Sequence, residues 1–141
     1  MKKRLLLFGC ALGLMWVPAT AQEDDKDQTE LGKQMEAMND AFKAFRRETD
    51  AAKGAVQARE AEESVLKGMM ETPTRVKEMP EGAEKAKALV SYRKMTAKLL
   101  LTLCEVEEAF LNGKIDEVAK LVDSLKDQKK QGHKEFIKDD E

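Results

Sequence analysis

The sequence predicts an all-α protein, an antiparallel up-down-up-down four-helix bundle, and three observations predict it. Apolar residues recur at spacings of three and four along four separate stretches, and nowhere do they alternate with the period of two that a strand needs. After Pro18 the prolines are Pro73 and Pro80, both in one stretch, so a single long connection divides two uninterrupted halves. The other two breaks are short, and short turns between long helices force neighbours to run antiparallel.

The first segment stands apart from the bundle. Lys2, Lys3 and Arg4 precede an apolar run from Leu5 to Val17, and Ala19-Thr20-Ala21 reads as a small-x-small cleavage site. This order defines a secretory signal peptide over residues 1–21, with an apolar stretch too short for a membrane span. Residues 22–27 are polar and acidic and are expected to be disordered.

The first helix is expected from Gln28 to Arg47. Asp27 followed by Glu30 makes a capping box, and Leu31, Met35, Met38, Phe42 and Phe45 form one stripe, with Lys33, Glu36, Asp40 and Lys43 facing water. Thr49-Asp50 is a polar break able to cap the next helix. The second helix, Ala51 to Glu71, turns Ala51, Ala55, Ala58, Val65 and Met69 inward, with Glu62 interrupting the stripe and Gly54 lowering its propensity. A loop follows from Thr72 to Met79, and Pro80 suits the first turn of the third helix. That helix extends to Leu111 on a stripe of Tyr92, Leu99, Leu103, Val106 and Phe110, and Asn112-Gly113 stops it. The fourth runs from Lys114 to Lys138, its stripe being Ile115, Val118, Val122, Leu125, Lys129, Gly132 or His133, Phe136 and Ile137. The bundle therefore spans residues 28–138, and 139–141 are an acidic tail.

Charge and cysteine content narrow the function. The chain carries a formal net charge of −2, and loss of Lys2, Lys3 and Arg4 with the signal leaves −5. An acidic surface of mixed sign speaks against nucleic acid and anionic membrane as partners. Once Cys10 departs with the signal, Cys104 is alone, so no internal disulfide can form and the core must hold the fold. Cys104 reads as a small buried hydrophobe. The one histidine and one cysteine are too few for a zinc site, and Lys130 three residues before His133 breaks the Glu-x-x-His pattern of a di-iron bundle. No Ser or Cys lies in a nucleophile motif, so an enzyme is not expected.

The topology brings two residues to one level. Met35 lies about seven residues into the first helix and His133 about five from the end of the last, and these two helix ends share one end of the bundle. At ~1.5 Å rise per residue, both sit roughly 8–11 Å inside it, each on its inward stripe. Haem iron accepts imidazole and thioether as opposite axial ligands, and with both positions filled the natural work is one-electron transfer. Leu31, Met38, Tyr92, Leu125 and Phe136 are available as walls. Taken singly, a methionine on a helical stripe is ordinarily core filler, and a lone histidine near a helix C-terminus ordinarily complements the dipole.

Resemblance decides between these readings. The run Met35-Glu36-Ala37-Met38-Asn39-Asp40-Ala41-Phe42-Lys43 resembles the first-helix signature of the soluble cytochrome b562 family. So does the stretch from Gly113-Lys114-Ile115-Asp116-Glu117-Val118 through Leu125 to His133-Lys134-Glu135-Phe136, and Thr72-Pro73 at the start of the long loop fits as well. The resemblance implies one b-type haem with Met35 and His133 as its axial ligands, a redox partner protein, and a periplasmic, monomeric electron carrier. The sequence departs from the family in two places. Tyr92, with Thr96 a turn later, stands where aromatics are expected early in the third helix, and Lys129 stands where an arginine is expected one turn before the histidine. Lys129 could still face a propionate, as a point charge rather than a fork, while Tyr92 and Phe136 line the pocket. Without a Cys-x-x-Cys-His motif the haem is non-covalent. The rival reading is a haem-free exported bundle serving as a binding or stress-adaptor module.

Overall fold

The computed structural model of the chain describes residues 29–137. The signal segment 1–21, residues 22–27 with the expected Asp27 cap, and the acidic tail lie outside the described residues. Four long helices form an antiparallel bundle, and no strand occurs among the described residues.

Helix α1 covers Glu30–Phe45, and its cap is Thr29, whose Oγ1 accepts from the backbone N–H of Gly32 at 3.0 Å. The helix thus starts two residues later than the capping-box pattern suggested, because a hydroxyl nearer the first turn meets the orphan donor. Met38, Ala41, Phe42 and Phe45 are buried, and the rings of Phe42 and Phe45 meet edge to face at 5.5 Å. After Phe45 the carboxylate of Glu48 accepts from the N–H groups of Thr49 and Asp50, which holds its pKa below the ordinary value. Asp50 then caps α2, Ala51–Met69, by accepting from Lys53 N–H at 3.0 Å.

The inward face of α2 is built from small residues. Gly54, Ala55, Ala58, Ala61, Ser64, Val65 and Gly68 are buried, a wider face than the expected stripe. Their small volume lets α1 and α4 approach from two sides. Glu62 is half-buried on the flank toward α4, and its carboxyl is raised by burial and by the nearby Glu107.

The connection after α2 is not a plain loop. Thr74–Lys77 form a one-turn helix, α3, which plants Val76 at 2% exposure against Tyr92 and Phe136. A single turn carries no periodicity, so the sequence pattern could not register it. Pro80 precedes the next helix instead of opening it. Gly82, at φ +152°, makes the turn that L side chains rarely adopt, and α4 runs Ala83–Leu111.

The end of α4 is a Schellman motif. Gly113 N–H bonds Phe110 C=O at 2.9 Å and Lys114 N–H bonds Ala109 C=O at 2.8 Å, with Gly113 at φ +68°. Helix α5 then covers Ile115–Phe136. One expectation on α4 is overturned, since Cys104 is exposed. Leu103 and Val106 take the inward positions, and the ~100° step of a helix turns Cys104 away from them, toward Glu62. Partial burial and that carboxylate raise its thiol pKa, which keeps it protonated and weakly nucleophilic.

Contacts fix the directions. Gly54 at the start of α2 meets Phe110 at the end of α4, and Gly68 at its end meets Met35 near the start of α1. Helix α1 packs on α2, α2 on α4 and α4 on α5, but α1 and α5 are not closely packed on each other. The main core runs from the end holding Phe45 and Phe110 along the bundle through Leu103 to Val65, while a smaller cluster of Val76, Tyr92 and Phe136 closes the other end. Between these clusters the seam from α1 to α5 stays open.

Candidate functional site

The open seam holds a cavity of about 410 Å³. Helices α1 and α5 form its sides, α4 its floor, and the Pro73-Thr74-Arg75 segment its outer end. The size falls within the usual ~300–1,000 Å³ of ligand pockets. Gly32 on α1 and Gly132 on α5 both border it, and the missing side chains widen the gap between the two helices.

All five residues singled out from the sequence border this one cavity: Met35, Tyr92, Lys129, His133 and Phe136. Met35 is half-buried on α1, and its Cε lies only 2.6 Å from where a Cβ on Gly68 would sit. The glycine therefore leaves the seat that the thioether end occupies. Tyr92 is 5% exposed, and its hydroxyl donates to Gly68 C=O at 2.7 Å. That bond ties α4 to the α2 turn supporting Met35. Tyr92 also meets Phe136 edge to face at 5.4 Å, and the pair shields the outer part of the cavity from water.

His133 lies in the last turn of α5, exposed at the mouth while bordering the cavity. Partial desolvation and the charge of Lys129 lower its pKa. Both effects favour the neutral imidazole, the form with a lone pair available to a metal. Lys129 lies one turn earlier, and its ammonium donates to Asn39 Oδ1 at 2.8 Å, a strut across the seam from α5 to α1. Of the other expected walls, Leu31 and Met38 line the cavity, whereas Leu125 turns into a separate small void of about 20 Å³ beside Phe42 and Leu103.

Sequence reasoning missed several residues here. Met95 and Gln128 sit at helical steps from Tyr92 and Leu125, so continuing each stripe strictly would have reached them. Gln128, 8% exposed, gives its amide N–H to Thr102 and Ser124, while its Oε1 has no partner among the described residues. Arg75 carries no comparable signal, because nothing in a loop pattern tells which side chain will turn toward a helix. Its Nη1 donates to Lys134 C=O at 3.4 Å.

A family model described as Cytochrome b562 matches residues 30–136, which is nearly all of the helical region. The chain belongs to the cytochrome b562 family. Membership makes it a haem-binding electron-transfer protein of four-helix-bundle fold. Comparison with individually curated proteins finds no significant match. No helix among the described residues is long and apolar enough to cross a membrane.

The residues present fit a haem. The cavity is largely apolar, flanked by glycines on facing helices, and bordered by the thioethers of Met35, Met38 and Met95 and the imidazole of His133. Met95 also borders it, but its sulfur lies 3.2 Å from where a Cβ on Gly132 would be, so it is on the α5 side with His133. Met35 and Met38 border it from α1.

Tyr92 offers a direct check on the packing at this site, because it is the chain's one tyrosine. Burial, and secondarily Glu71, push its pKa up to about 12. In an ultraviolet titration the folded protein should form tyrosinate only near pH 12, against about 10 for the unfolded chain. The folded state holds this proton more tightly than the unfolded one. The associated stability is therefore complete below about pH 10 and is lost as pH rises toward 12. A folded-state midpoint near 10 would mean that water reaches the hydroxyl and the bond to Gly68 is not kept.

Proposed function

We propose that the protein holds one non-covalent b-type haem in the seam between α1 and α5, ligated by Met35 and His133, and works as a periplasmic one-electron carrier. The observation that carries this reading is that a thioether and an imidazole from the two loosely packed helices border one apolar cavity. Bound there, haem supplies a ferric–ferrous couple.

The chain's own residues then have separable tasks. The soft sulfur of Met35 favours the reduced state, and His133 gives a neutral nitrogen. Tyr92 and Phe136 would wall the site, while Lys129, bonded to Asn39, holds the seam at fixed width. Held by both of these side chains, the group would supply one-electron transfer rather than substrate chemistry. Export rests on the order of Lys2, Lys3 and Arg4, the apolar run after them, and Ala19-Thr20-Ala21.

A reduced-minus-oxidised spectrum of residues 22–141 mixed with haem tests the proposal. The expected result is a low-spin b-type spectrum, together with a higher thermal midpoint, since a ligand bound by the native state alone stabilises it. An unchanged spectrum and midpoint would instead favour the haem-free binding module.

A further inference from the structure

Two cations border the cavity, and they lie on opposite sides of His133. Lys129 is four residues before it on α5, toward the main core, and its ammonium is engaged by Asn39. Arg75 reaches in from α3 at the outer end, where its Nη1 meets the carbonyl of Lys134, the residue after His133. We propose that Arg75 is the carboxylate anchor of the site, binding the propionate edge of the haem and so fixing which way the macrocycle faces. The inference rests on the haem reading above and deepens it.

Two observations favour Arg75 over Lys129. First, the guanidinium spends one long bond on Lys134, and no ion pair described for this protein includes it. Its remaining N–H groups form the planar fork that meets a carboxylate with two parallel bonds. Second, the Lys129 ammonium is already engaged by Asn39 Oδ1, whereas the Arg75 guanidinium is exposed to solvent. An apolar disc with two carboxylates on one edge settles with that edge toward solvent, because burying an ionised carboxylate is costly. The bond to Lys134 also holds the fork one residue from the imidazole, so anchor and ligand are registered on the same turn of α5.

The test compares haem with haem dimethyl ester, which keeps iron and macrocycle but has neutral propionates. Absorbance titrations would use the parent, Arg75→Gln, Arg75→Lys and Lys129→Gln. Arg75→Gln is expected to weaken haem binding about tenfold, the scale of one charged hydrogen bond, and to leave ester binding and the low-spin spectrum as in the parent. Arg75→Lys should recover part of the loss, and Lys129→Gln should lose less. Because Arg75 is exposed, the melting curve of the haem-free protein should not move, which separates recognition from folding.

The inference is overturned if Arg75→Gln binds haem like the parent, if it loses haem and ester equally, or if Lys129→Gln alone carries the selective loss. A parent that binds neither compound brings down the haem reading itself, and this inference with it.

Discussion

Alanine at His133 is expected to abolish the low-spin haem spectrum, whereas alanine at Met35 should convert it to a high-spin form. The asymmetry follows from the two bonds. On the proposed ligation the imidazole nitrogen is the stronger donor, so a thioether left alone would hold the iron weakly, whereas an imidazole left alone would still hold it. Side-effects on folding should differ as well. His133 is exposed and its side chain makes no hydrogen bond among those described, so its loss should leave the melting of the haem-free protein within about 0.5 kcal/mol. Met35 packs on Gly68 and the main core, and truncating it should cost about 2 kcal/mol. Optical spectra with and without reductant, beside urea melts of the haem-free variants, separate ligation from packing. Parent-like spectra from both variants would end the axial assignment.

Gly54→Ala should destabilise the protein, although a helix interior ordinarily gains from this exchange. Helix propensity alone favours alanine by about 1 kcal/mol. Here the new Cβ would fall on the ring of Phe110, which is 0% exposed and has no room to withdraw. Overpacking a filled core costs about 1–3 kcal/mol, and because the obstacle is a rigid ring the cost lies at the upper end. The steric term wins, with a net loss of about 2 kcal/mol and a fall of roughly 10 °C in Tm for a domain this size. A urea melt of the haem-free protein decides it. A variant more stable than the parent would mean that α2 and α4 can part at little cost.

Much of this architecture could be read from residue spacing. The four inward stripes, the Asp50 cap and the Gly113 stop depend on chemistry within a few residues, and each lies close to where the pattern put it. The five site residues share one cavity because antiparallel topology converts position along a helix into depth in the bundle. What stayed hidden depends on tertiary contact. Val76 is buried because Tyr92 and Phe136 offer it a surface. Arg75 turns toward α5 because that helix ends beside it. Cys104 is exposed because Leu103 and Val106 already fill the neighbouring inward positions, a choice that hydrophobicity alone does not settle. Likewise Gly68, which lowers helix propensity in isolation, makes sense only beside Met35.

The strut between Asn39 and Lys129 joins residues 90 apart in sequence, and its two helices are the sides of the cavity. The packing of α1 on α2, α2 on α4 and α4 on α5 needs no cofactor, so the bundle can form while the seam is still open. Held between Met35 and His133 as proposed, the iron would close a long loop from α1 to α5, so its benefit should concentrate in the two helices least secured by their neighbours. Their amides should be the ones whose hydrogen exchange slows most when haem is added.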